Sequence, residues 1–101
     1  MALQRTMLKF PLPDWNGRDD DGSYTVQMPP GSVVRSCAMQ HGKRTLWAEC
    51  TTEEGKYPPG APSVCRSFYV LATGEVFPDG ANYIGTIYDG NYVWHIAEKL
   101  T

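Results

Sequence analysis

Eight prolines and ten glycines are spread through the 101 residues of this chain, and they limit what it can fold into. Proline removes a backbone donor and glycine frees the backbone for turns, so each interrupts regular structure. No uninterrupted helical pattern of about 10–12 residues survives between them. What survives is a series of brief runs in which apolar residues recur at every second position. That period belongs to a pleated strand with one buried face.

The first run, Thr6 to Leu12, sets Leu8, Phe10 and Leu12 on one face. Pro11 cannot donate to a ladder, which ends this strand there or places it at a sheet edge. Residues 13–22 read as a polar loop whose one large apolar residue is Trp15. Ser23 to Met28 puts Tyr24, Val26 and Met28 on one face, and Pro29-Pro30-Gly31 makes a turn. Val33–Gln40 and Arg44–Thr51 form a hairpin around His41-Gly42-Lys43, with Gly42 supplying the positive φ of a tight turn. Residues 52–63 form a loop rich in Glu, Gly and Pro, where disorder or an insertion is expected.

Val64–Thr73 is the most apolar strand, with Phe68 and Val70 opposed to Tyr69 and Leu71. A short piece at Glu75–Phe77 and a Pro78-Asp79-Gly80 turn follow. Asp89-Gly90 then reads as a two-residue type I′ turn. It pairs Tyr88 with Asn91, Ile87 with Tyr92, Thr86 with Val93 and Gly85 with Trp94. The tail, residues 97–101, is expected to curl into a short helical turn or to fray.

These runs predict a single all-β domain over residues 1–101, mainly antiparallel, folded as a compact six- to seven-strand sandwich or small barrel. A chain of this size buries one core and about two thirds of its unfolded surface. Several strands are apolar on both faces, more than one small sandwich covers, so a homo-oligomer is expected.

Composition narrows the function. The formal net charge is -2, which argues against direct DNA or RNA binding through a basic field. No run reaches the roughly 18–20 apolar residues that span a bilayer, so no membrane role is expected. The N-terminus lacks the apolar stretch of a secretory signal. Cys37, Cys50 and Cys65 are odd in number and lack CxxC spacing. They are read as three small core residues in a cytoplasmic protein, not as a disulfide framework or zinc site.

Catalytic motifs are absent from the sequence. His41 and His95 have no second ligand at metal spacing, no GxSxG elbow occurs, and the glycines lack phosphate-loop spacing. In Asp19-Asp20-Asp21, setting Gly22 at position 6 of an EF-hand puts Gly17 at position 1 and Met28 at position 12, so calcium does not fit. The three acids read as a solvated turn that discourages edge pairing. No enzyme, metal or cofactor is expected. What remains is a set of aromatic residues with nearby cations. Trp15, Arg18, Arg44, Trp47, Tyr88, Trp94 and His95 are the candidate ligand-binding residues, because aromatic faces stack on bases and Arg forks grip phosphates. The same residue types also build ordinary β cores and protein interfaces.

The segments Leu71-Ala72-Thr73-Gly74, Tyr83-Ile84-Gly85-Thr86 and Tyr92-Val93-Trp94-His95-Ile96 resemble a family of small, mainly bacteriophage-encoded proteins known only as a domain of unknown function. Met28-Pro29-Pro30-Gly31 and Leu46-Trp47-Ala48 resemble its N-terminal half. The resemblance extends from about Lys9 to Ala97; the acidic loop 14–22 stands outside its pattern. It implies a phage origin and a compact β fold and carries over no catalytic residue. By association, phage accessory proteins of this size often bind and block a host component. The first expectation is therefore a non-catalytic oligomer in the host cytoplasm that counters anti-phage immunity by sequestering a small nucleotide signal. A direct protein inhibitor of a host defence complex, with Asp19–Asp21 mimicking phosphates, and a virion accessory protein are the alternatives.

Overall fold

The computed structural model describes residues 2–100. Seven strands form two antiparallel sheets. They are β1 (Leu3–Pro11), β2 (Tyr24–Met28), β3 (Val33–Gln40), β4 (Lys43–Glu53), β5 (Val64–Ala72), β6 (Asn82–Asp89) and β7 (Tyr92–Glu98). One sheet has the order β1-β4-β3, the other β2-β5-β7-β6.

The period-two pattern becomes burial directly. On β2, Tyr24, Val26 and Met28 are buried while Thr25 and Gln27 face water. On β4, Leu46, Ala48 and Cys50 point into the core. They meet Phe68 of β5, Ile87 of β6 and Ile96 of β7 from the opposite sheet. Pro11 lies on an edge strand, opposite Thr45, where its missing N–H costs no central ladder bond. Tyr57, from the loop after β4, packs edge-on against Phe10 at 6.2 Å, so that loop contributes to the core.

The sheets approach along β3 and β6, both irregular: β3 bulges between Val34 and Ser36, and β6 between Tyr83 and Gly85. Gly85 sits against Cys37, and a Cβ there would stand 3.0 Å from the Cys37 sulfur. Small size at residue 85 therefore lets the two sheets close along this side.

Several local expectations are corrected. The first hairpin turns on two residues, His41 and Gly42, with Gln40 opposite Lys43. Both have positive φ (50° and 75°), the type I′ pattern. In the last hairpin the turn is Gly90-Asn91, so Asp89 pairs with Tyr92, Tyr88 with Val93, Ile87 with Trp94 and Thr86 with His95. Of the two loop residues only Gly90 has positive φ, at 59°, which fits the type II′ pattern with glycine at its first central position. The turn centre moves by one residue, and each pairing slips by two. Two is the period of the strand, so each residue keeps its face and changes only its cross-strand partner.

Glu75–Phe77 forms no strand; Thr73 and Gly74 turn the chain, and Val76 is 90% exposed. With no partner strand beside it, a three-residue run has no ladder to join. The tail forms no helical turn, because β7 continues to Glu98 through pairing with β5 and β6; Thr101 lies outside the described residues. Of the cysteines only Cys50 is buried. Cys37 is half-buried at the sheet junction and Cys65 is exposed, since its position on β5 faces away from the core.

Candidate functional site

At one end of the sandwich, residues distant in sequence meet. Asp14 is extended, and a single 3-10 turn at Trp15–Gly17 follows it, closed by the Gly17 N–H donating to the Asp14 carbonyl at 2.7 Å. A Cβ on Gly17 would lie 2.8 Å from Cβ of Pro13, so glycine lets the turn fold tightly enough to bring Trp15 back onto the body. Arg44 is the second residue of β4, and its carbonyl accepts the Leu12 N–H at 2.8 Å, anchoring the start of the loop.

The Arg44 guanidinium carbon lies 3.9 Å from the Trp15 ring centroid and 5.8 Å from that of Tyr24. Both lie within cation–π range. Trp15 meets Trp94 edge-on at 5.2 Å and Tyr24 at 6.2 Å. Tyr92, two residues before Trp94 and on the same strand face, stacks almost parallel to it, at 5.7 Å and 7°. A small cleft of about 170 Å³ opens beside this cluster, lined by Trp15, Arg44, Lys43, Asp14 and Asp89 among others.

Three side-chain atoms in the cluster are buried without a hydrogen-bond partner: the Tyr24 hydroxyl, Arg44 Nε and Trp94 Nε1. Arginine Nε and indole N–H can only donate. Tyr24 is itself only 1% exposed. Burial pushes its phenol above the ordinary value, against the opposing pull of Arg44 and Arg18. Each of the three can donate a hydrogen bond, and no described residue accepts from them.

The sequence-derived candidates divide into groups. Trp15, Arg44 and Trp94 come together. Arg18 sits nearby in the acidic loop, close enough for its charge to act on Tyr24, and lines a shallow depression with Asp19–Asp21 and Lys99. Trp47 stands apart, on the outward face of β4 in register with Lys9 and Ser36. Tyr88 and His95 lie on the outer face of the four-stranded sheet. There His95 Nε2 is 2.9 Å from the Thr73 hydroxyl and Nδ1 is 3.1 Å from that of Thr86, which in turn contacts the Tyr83 hydroxyl at 2.6 Å. Tyr24 and Tyr92 complete the cluster but were absent from the candidates. Tyr24 reads as plain core beside Val26 and Met28. The i, i+2 spacing of Tyr92 and Trp94 was the available sign of a shared face.

Among the described residues no group of three His, Cys, Asp or Glu side chains converges as a metal site, and no helix is long and apolar enough to cross a membrane. A family defined as a domain of unknown function, DUF7352, matches residues 3–101. The chain belongs to that family. The match spans both sheets, so the Trp15–Arg44 cluster lies wholly within the DUF7352 domain. No curated protein and no solved structure matches the chain.

Proposed function

We propose that this DUF7352 domain is a non-catalytic binding protein whose ligand is a small nucleotide, held at the Trp15–Arg44–Trp94 cluster. One observation carries it: a guanidinium stacked on an indole, among further aromatic rings, beside three buried donors that lack acceptors. A nucleotide matches this set of groups, since its base offers a π face to the rings and its phosphate offers acceptors to the donors. A phage origin, the host cytoplasm as its compartment and the capture of a nucleotide immune signal belong to this proposal, as does assembly into a homo-oligomer. Support for assembly comes from the outer face of the four-stranded sheet. Tyr83 and Tyr88 stand exposed there, on the face that also carries Tyr69 and Val93.

Inhibition of a host protein by phosphate mimicry is the weaker reading. Asp19 accepts a bond from the Thr25 hydroxyl, and Asp21 accepts from Ser23 and pairs with Lys99. Carboxylates committed within the fold are poor mimics of free phosphates.

The test is a thermal shift against a panel of mono- and cyclic dinucleotides, with light scattering for the oligomer. A binding member at a hundred times its dissociation constant stabilises the fold by about 2.7 kcal/mol, and Arg44→Ala abolishes the shift. No shift with any member, or a shift that survives Arg44→Ala, overturns the site.

A further inference from the structure

We infer that the Trp15 indole is an internal stand-in for the ligand's ring: it covers Arg44 and the buried donors in the free protein and is displaced when a planar, acceptor-bearing anion binds. The inference rests on the ligand reading above and assigns the site a form of self-regulation.

The first argument is access. The Tyr24 hydroxyl, Arg44 Nε and Trp94 Nε1 are closed to solvent, and Trp15 lies against all three of their side chains. Trp15 packs on each side chain that carries one of these donors, so it is a group that an incoming ring must displace. The indole satisfies none of them, since its only polar atom is itself a donor. It reproduces the ring of a ligand and omits the acceptors.

The second argument is how lightly Trp15 is held. It is 45% exposed, and every residue from Asp14 to Asp21 is exposed as well. The bond closing its turn is local, from Gly17 to Asp14. The polar tie seen between this turn and the body is the Lys43–Asp14 pair at 4.0 Å, with both side chains more than half exposed. Exposed pairs of that length hold little. The loop is secured at its two ends, by the Leu12 N–H on the Arg44 carbonyl and, from Asp19 onward, by the Asp19 N–H on the Ser23 carbonyl, the Thr25 hydroxyl on Asp19 and the Asp21–Lys99 pair. A segment pinned at its ends and held between them mainly by one half-exposed ring is a unit that can lift without unfolding the core. Trp94 and Tyr24 have no such freedom, since both lie on paired strands.

A site occupied by its own side chain binds ligand with an affinity reduced by the open fraction. Removing the indole therefore tightens binding. The experiment is calorimetric titration of the full chain with a cyclic purine dinucleotide, with adenosine and inorganic phosphate as half-ligand controls. It compares wild type, Trp15→Ala, Trp15→Phe and Arg44→Ala, each confirmed folded by circular dichroism. If the closed form outnumbers the open by about ten to one, Trp15→Ala binds about tenfold more tightly. Trp15→Phe falls between, and Arg44→Ala loses binding. In a Trp47→Phe background, ligand also shifts tryptophan emission to the red as Trp15 moves into water. If wild type binds and Trp15→Ala binds equally or more weakly, Trp15 is a platform or a bystander; the stand-in is overturned and the site stands. If neither wild type nor Trp15→Ala binds any probe, the ligand reading itself fails.

Discussion

Arg66 and Glu98 form a two-pronged ion pair between β5 and β7, Nε to Oε2 at 2.6 Å and Nη2 to Oε1 at 2.7 Å. The third arm of Arg66, Nη1, donates to the Ser32 carbonyl in the turn that leads into β3. One guanidinium thus joins both sheets through the neighbouring turn. Its side chain is 20% exposed and that of Glu98 12%, so the pair is screened far less than a surface bridge.

Arg66→Ala leaves the Glu98 carboxylate and the Ser32 carbonyl without their partner, and we expect a loss of about 2–3 kcal/mol. Arg66→Lys does not restore it, because an ammonium lacks the planar fork. Replacing both members together with apolar residues of similar volume costs much less than either single change. Urea unfolding of the single and double variants checks all three.

Lys99 and Asp21 meet at 2.6 Å and tie the acidic loop to the end of β7. The Lys99 ammonium, helped by the Ser23 hydroxyl and N–H, holds the Asp21 carboxyl well below its ordinary value of 3.8. A depressed carboxyl contributes stability above that ordinary value and loses it as pH falls toward the folded value. Asp21 in turn raises the Lys99 ammonium above 10.5, a contribution present below that value and lost as pH climbs through the raised one. The stability gap between wild type and Asp21→Asn is therefore widest near neutrality and shrinks below about pH 4. It also shrinks in high salt. Denaturation at several pH values reads this directly.

Gly90 alone carries positive φ in the last turn. Gly90→Ala therefore costs about 1 kcal/mol or more, while Asn91→Ala stays within about 0.5 kcal/mol. A type I′ turn centred on Asp89-Gly90 would instead make Asp89 sensitive and leave Asn91 outside the loop. Melting curves of Asp89, Gly90 and Asn91 alanine variants separate the two registers.

Gly85 and Cys37 close the sheets at 3.0 Å from a would-be Cβ. Gly85→Ala is expected to destabilise by about 1–2 kcal/mol through overpacking. Cys37→Ala in the same chain recovers part of that loss, because the sulfur is the crowding atom. A double-mutant cycle measures the coupling, and additivity of the two changes would disprove the contact.

The strands were legible because alternation reports a face at short range. Tyr24, Val26 and Met28 are buried as their spacing required, and Pro11 lies at an edge as its missing N–H required. The last turn has two readings in the sequence, because Asp-Gly and Gly-Asn are both competent two-residue loops, one residue apart. Choosing between them takes the whole ladder against β7. Glu75–Phe77 failed as a strand because alternation cannot tell whether a partner lies alongside.

The candidate site shows the same division. Alternation and turn residues alone make this chain pleated and build its core from alternate residues of short strands, and aromatic residues and arginines are plain in its composition. That Trp15, Tyr24, Arg44 and Trp94 share one cluster while Trp47, Tyr88 and His95 lie outside it emerges from the packed fold. The reason is physical: period and turn chemistry act over a few residues. The meeting of a loop with the ends of strands from two sheets depends on long-range packing, which no local pattern encodes.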